Sequence, residues 1–293
     1  MRQKYLQAFQ KVLKKKSGKI TRNVILLVAI SLTVGCSGNS MSTDSDEEGL
    51  GEIDIPEFGL FLSVAGDANG LHYVDFETAE VTKVGEGNTG AEEDAVGLTA
   101  IRAGEPLIGT NRFAILQIAI DGSNAVVIGD PSTQAFTEGL AYSPKDDVLF
   151  ASSNGFLHLR NRNSGETIET VLRAPNQPVI EGLAFDARDQ ILYGLARGYE
   201  NFPEDFRGLY VLDASQPRNE WQWQEVGDTG GIWANAGLAF DRTNQVLFAT
   251  GRQDDPGALF LIDPVTGNIT RLGDTGLESA GGGLAWMPPP GEN

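Results

Sequence analysis

Thiol and imidazole chemistry have almost no material in this chain, which holds one cysteine and two histidines among 293 residues. No intrachain disulfide can form, nucleophile schemes built on histidine have only His72 and His158 to draw on, and zinc-ligand spacings are absent. Lysine is scarce too: six of the eight stand before residue 20, leaving Lys83 and Lys145. With Arg2 and Arg22 the leader takes eight basic residues, so the 14 that remain face all 40 acids, a net charge of −26. That balance excludes nucleic acid as a partner, because binding a polyanion relies on clustered cations. No long hydrophobic run is present either. The apolar stretch at 24–34 covers 11 residues, short of the ~20 that a membrane-spanning helix needs.

That stretch follows a basic, acid-free segment and ends at Gly35-Cys36, the layout of an export signal. It resembles a bacterial lipoprotein signal, with Thr33 at the place three before the cysteine where that family prefers leucine. The resemblance implies cleavage after residue 35 and lipidation of Cys36. Ser37, rather than Asp, then favours transfer to the outer membrane, so the expected localisation is the cell envelope. Residues 36–57 carry Asp44, Asp46, Glu47 and Glu48 and little apolar surface, and read as a flexible acidic tether. One domain is expected over residues 58–289, followed by a short tail, 290–293.

Within that domain a Gly-Leu pair recurs at Gly97, Gly139, Gly182, Gly237 and Gly283, with spacings of 42, 43, 55 and 46 residues. Three copies agree over a strand, turn and strand: Gly-Leu-Ala-Tyr142 to Phe150, Gly-Leu-Ala-Phe185 to Tyr193, and Gly-Leu-Ala-Phe240 to Phe248. Each repeat contains four short apolar runs separated by Asp, Asn, Gly, Pro and Ser, the pattern of a four-stranded meander. A unit of this size cannot bury its own apolar face, so the period predicts blades stacked about an axis, an all-β propeller. The chain enters at Phe58 to Leu62 as a second strand, and Gly283 to Met287 has the first-strand pattern with nothing after it. Five blades are therefore expected, closed by pairing of the C-terminal strand with the N-terminal blade, which removes the exposed edges. A single closed ring is also expected to be monomeric.

The connectors into the first strands and the loops between second and third strands share one face, where loops on a rigid scaffold concentrate function. Two of those loops are enlarged, Arg197 to Arg207, with Tyr199, and Arg252 to Pro256, with Asp254. Arg112, Arg197 and Arg252 hold one repeat position on that rim. Glu138 and Glu181 precede their Gly-Leu pairs directly, and Asn235 precedes Gly237 by two. One reading has Arg112 paired with Glu138 and Arg197 with a nearby carboxylate, tying blades together. The other has Arg112, Arg197 and Arg252 engaging a small anionic or carbohydrate-like ligand at the concave channel mouth. His72 and His158 occupy positions held by Tyr210 and Phe260 elsewhere and read as packing groups.

The phrases Thr-Glu138-Gly-Leu-Ala and Ile-Glu181-Gly-Leu-Ala resemble the inner-strand starts of calcium-dependent gluconolactonase-like propellers. That resemblance implies a Ca²⁺ held by Glu138, Glu181 and Asn235, with Asp94 a further candidate, and lactonase or hydrolase activity. The whole repeat region resembles secreted bacterial propellers built on Gly-Leu-Ala-aromatic-Asp and Ile-Asp-Pro-x-Thr-Gly repeats, many without assigned activity. The expectation leans away from an enzyme, toward a lipid-anchored binding or scaffold module for an envelope protein, a glycan or a small anion. The propeller lipoprotein of the outer-membrane barrel assembly machine is an architectural analogy for such a scaffold.

Overall fold

The computed structural model describes residues 58–64, 69–85, 97–131, 134, 136–172, 177–198, 206–255, 257–277 and 282–291. The expected leader, Cys36 and tether, and also Asp94 and Tyr199, lie outside them.

Five four-stranded antiparallel sheets form the ring. The first blade holds β1 (Gly59–Val64), β2 (Gly70–Val74) and β3 (Val81–Val84); the second holds β4 (Gly97–Thr99), β5 (Leu107–Thr110), β6 (Ile115–Ile118) and β7 (Ala125–Ile128). The third comprises β8 (Leu140–Ser143), β9 (Val148–Ser153), β10 (Phe156–Asn161) and β11 (Thr167–Leu172). The fourth is β12 (Ile180–Asp186), β13 (Ile191–Arg197), β14 (Arg207–Asp213) and β15 (Gln224–Gly227); the fifth is β16 (Leu238–Asp241), β17 (Val246–Ala249), β18 (Ala258–Ile262) and β19 (Ile269–Asp274). The last strand, β20 (Leu284–Met287), pairs with β1 as the innermost strand of the first blade, with Leu60 opposite Trp286 and Leu62 opposite Leu284. Closure by the C-terminal strand is thus as expected from the sequence. Among the described residues no helix is long and apolar enough to cross a membrane.

Burial falls from axis to rim. Strands β1, β9 and β17 are buried at every position, whereas the outermost β7, β11, β15 and β19 are largely exposed or half-buried. A strand covered on both faces reads as a continuous apolar run, such as Gly-Leu-Phe-Leu-Ser-Val in β1. The repeated hairpin phrase has a local cause. Asp186 and Asp241, both 1% exposed, each accept two backbone N–H bonds from the turn that follows, at 2.9 and 3.4 Å and at 2.9 and 3.2 Å. These Asx turns reverse the chain, and Asp147, Gln190 and Gln245 take the positive φ that completes it.

The repeated aromatics make the seams between blades. Phe150 packs on Phe185 at 5.3 Å between ring centroids, Tyr193 on Phe240 at 5.1 Å and Phe248 on Trp286 at 5.8 Å. In each case a second-strand ring meets the first-strand ring of the next blade, so the phrase recurs because the seam recurs. Trp286 takes this place in the closing strand.

The Gly-Leu pairs build the axis. Leu98, Leu140, Leu183, Leu238 and Leu284 are each at most 2% exposed, and the axial space lined by the five pairs has no room for a water molecule. Each glycine lies against the backbone of the next blade's first strand. A Cβ on Gly139 would meet Glu181 O at 2.7 Å, one on Gly182 would meet Ala236 O at 2.9 Å, and one on Gly237 would meet Gly282 O at 2.5 Å. The cycle is completed by Gly283, whose Cβ would lie 2.4 Å from Leu98 N, and by Gly97, whose Cβ would lie 3.0 Å from Glu138 O. Five blades converge so tightly that no side chain fits there.

Candidate functional site

The sealed axis makes the channel mouth a floor on which the predicted polar residues meet. Arg112 sits in the turn after β5 with φ of 75°, a left-handed conformation held by its N–H donating to Thr110 Oγ1 at 3.1 Å. That conformation throws its side chain inward, and Nη2 donates to Asn235 Oδ1 at 2.6 Å. Arg112 belongs to the second blade and Asn235 to the connector entering the fifth, so the bond spans blades that are not neighbours in the ring.

Glu181, 2% exposed, lies where the β12–β13 register shifts between Ile180 and Gly182. Such an irregularity turns a side chain off the regular face, and the Glu181 carboxylate takes donors from two blades. Its Oε1 pairs with Arg197 Nη1 at 3.1 Å and its Oε2 accepts the Asn235 N–H at 3.0 Å. Glu138, 5% exposed, accepts the Asn154 N–H at 3.0 Å through Oε2. Burial pushes the Glu138 carboxyl up to about 7, aided by the charge of Glu181 and opposed by the Asn154 N–H, Arg197 and Arg112. Burial also raises Glu181, against Arg197 and the Asn235 N–H.

The structure therefore brings Arg112, Arg197, Glu181 and Asn235 into one chain of contacts, with Glu138 inside its electrostatic reach. Arg197 pairs with Glu181 on the neighbouring strand of its own blade, so this ion pair does not itself tie two blades together. Arg252 is engaged elsewhere on the rim: it pairs with Asp254 at 2.7 Å, lies 5.8 Å from the Phe260 ring centroid, and fills the space beside Gly231, where a Cβ would sit 2.5 Å from Nε. Asn154 and Phe136 escaped the sequence reading. Asn154-Gly155 carries only a turn signal, and Phe136, 5.9 Å from the Arg112 guanidinium, lies outside the repeat pattern. His72 is 5% exposed, its pKa lowered by burial, and the His158 ring lies 6.0 Å from that of Phe156, as packing groups should. In the connector entering the fifth blade the Asp228 carboxylate caps the Gly230 N–H at 2.7 Å and the Thr229 hydroxyl accepts the Trp233 indole N–H at 2.7 Å, which fastens the turn.

Glu138 sets a pH dependence. Its folded pKa, about 7, lies above the unfolded 4.5, so the folded state holds more protons between those values and stability is lost as pH rises through 7. The stabilisation is fully present below 4.5. Glu138→Gln removes this cost and should melt several degrees above wild type at pH 8, a gain of about 1–3 kcal/mol. Near pH 4 to 5 the difference should vanish. Thermal melts of both proteins across this range check it; parallel curves would refute a buried, proton-holding Glu138.

No protein-family model and no curated protein matches the chain. Among solved structures, a chain of a nidogen/laminin complex superposes with a TM-score of 0.50 at 13% identity, covering 75% of this chain and 79% of that one. A functionally unknown protein from Desulfotomaculum acetoxidans DSM 771 gives 0.45 at 14% identity, covering 79% of this chain and 72% of the other. At such identities the likeness to the nidogen/laminin structure concerns the fold alone.

Proposed function

We propose that this chain is a non-catalytic binding or scaffold module, held in the bacterial cell envelope by lipid on Cys36, that presents the channel mouth to its ligand. The observation that carries this reading is the contact chain Arg112–Asn235–Glu181–Arg197 across a sealed axis. It gathers two guanidiniums, a carboxylate and an amide, with the Glu138 carboxyl beside them, on a floor whose axis has no room for water, where a polar ligand finds donors and acceptors together. Ligand classes that suit it are an envelope protein, a glycan or a small anion.

A pull-down from solubilised envelope with wild type and Arg197→Ala tests the reading. A specific partner or glycan retained by wild type and lost at least tenfold in the variant is expected; equal retention by both would dismiss the mouth. Cys36→Ala should shift the protein from the membrane pellet to the soluble fraction, and continued pelleting would dismiss the anchor.

The calcium-dependent hydrolase reading needs oxygens that are already engaged. Both Glu181 oxygens hold donors, Asn235 Oδ1 holds Arg112, and one Glu138 oxygen holds the Asn154 N–H. Six to eight oxygen ligands are usual for Ca²⁺, and this donor set does not fit one without displacing two guanidiniums. Stoichiometric Ca²⁺ in the purified protein, with a thermal shift lost in Glu181→Gln, would reinstate that reading.

A further inference from the structure

We propose that the outer edge of the second blade, strand β7, is a docking strand to which an extended, base-flanked segment of a partner protein adds as a fifth strand. The edge stands at the periphery of the ring, away from the mouth, and does not depend on the ligand reading above.

Closure removes the inner edges only. Each blade still ends in an outermost strand whose outward N–H and C=O groups can pair with another chain, and proteins guard such edges with charges, prolines or bulges. Four of the five outermost strands are guarded. Lys83 stands on β3, β11 carries Glu169 and two register shifts, β15 carries Glu225 and one shift, and β19 carries Arg271 and one shift. By contrast β7, Ala-Val-Val-Ile, has no charge and pairs with β6 in unbroken register. Val126 is 57% and Val127 45% exposed. Successive side chains point to opposite faces, so an added strand meets a β-branched contact on either side.

The ladder shows which groups await a strand. Asn124 O accepts the Ala119 N–H at 3.0 Å, and Val126 stands opposite Gln117. By the alternation of an antiparallel pair, Asn124, Val126 and Ile128 face β6, whereas Ala125 and Val127 turn their N–H and C=O groups outward. Both ends of the edge are clamped: Gly122 lies on Val84 O of the first blade and Gly129 on Ser164 O of the third, each too closely for any Cβ. An edge already held straight loses little freedom on binding.

The exposed backbone calls for an extended strand, the mode in which main-chain bonds give affinity and alternate side chains give specificity. Charge selects whose strand. Among the described groups that border β7, Asp121, Asp130 and Glu166 are exposed acids, and the base is Lys83 beside Val84. The full sequence carries 40 acids against 22 bases. Two copies of this chain repel each other, whereas a foreign segment with lysine or arginine on its flanks is attracted.

The probes are end-blocked Thr-Val-Thr-Val-Thr peptides flanked by lysine pairs or by glutamate pairs, and a lysine-flanked version N-methylated throughout its core, titrated against purified full-length chain by fluorescence anisotropy. The lysine-flanked peptide should bind with Kd below about a millimolar. Binding should be roughly tenfold tighter than for the glutamate-flanked peptide and should weaken as salt rises. Methylation should abolish it. Val127→Pro removes an outward N–H while sparing the bonds to β6, a place where an edge tolerates proline; it should melt within a few degrees of wild type and bind roughly tenfold more weakly. Arg197→Ala should bind as wild type does. No binding of the lysine-flanked peptide, equal binding of the two flanks, or undiminished binding of the methylated peptide or by Val127→Pro would overturn the docking strand. Peptide binding lost in Arg197→Ala would overturn it in favour of the mouth, and sedimentation showing a dimer that Val127→Pro dissolves would overturn it in favour of a second copy.

Discussion

Deletion of residues 284–293 should abolish cooperative folding of the propeller. The deleted strand supplies buried Leu284, Ala285 and Met287 and the ring of Trp286, which stacks on Phe248 and lies 5.8 Å from Phe76. Burying those side chains contributes on the order of 6–8 kcal/mol, taking ~2 kcal/mol for each large one. That is comparable to the whole stability of a typical domain, about 5–15 kcal/mol. The loss does not end there. Leu60, Phe61 and Leu62, each fully buried, would line an open sheet edge, which recruits other chains. Circular dichroism melts and limited proteolysis should show a non-cooperative, rapidly cleaved chain, and a synthetic peptide of residues 282–289 added in trans should restore part of the transition. A truncated protein that melts sharply within a few degrees of wild type would refute closure by β20.

Gly283→Ala should be the most damaging single methyl among the five Gly-Leu pairs. Its Cβ would lie 2.4 Å from both Gly97 C and Leu98 N and 2.6 Å from Leu98 Cβ, all atoms of the adjoining blade's first strand. Backbone cannot swing aside as a side-chain tip can, so relief requires the first and second blades to separate at the axis. Overpacking ordinarily costs about 1–3 kcal/mol; here about 3 kcal/mol or more is expected, a fall in melting temperature of roughly 10 °C. Gly237→Ala, with contacts of 2.5, 2.7 and 2.8 Å, should follow closely. Gly97→Ala should cost less, since its nearest atom is a Thr110 side-chain methyl at 2.9 Å. Gly104→Ala separates sterics from backbone preference: it meets nothing within 4 Å but has φ of +74°, and should lose only about 1–2 kcal/mol. Equal melting of Gly283→Ala and Gly104→Ala would show that the axis has slack.

The fold was legible because a propeller is encoded in neighbouring contacts. Tyr193 meets Phe240 and Phe150 meets Phe185 by one rule, so the same phrase had to be written more than once, and its period gives the number of blades. The site was legible only in part. Repeat position places Arg112, Arg197 and Arg252 on one rim, yet identical positions met different surroundings. Gly231 leaves room for Arg252 to fold against Phe260 and pair with Asp254, while the left-handed turn at Arg112 sends its guanidinium across to Asn235.

From its sequence alone this protein is fixed as a five-bladed disc shut by its last strand, since local patterns and their spacing set strands, turns and seams. Tertiary structure alone decides that the Gly-Leu glycines exist to let five backbones meet without a pore, and that Glu138 holds its proton to about pH 7. Both depend on distances across the seams between blades, from residues some forty or more positions apart, and no short stretch of residues carries those distances.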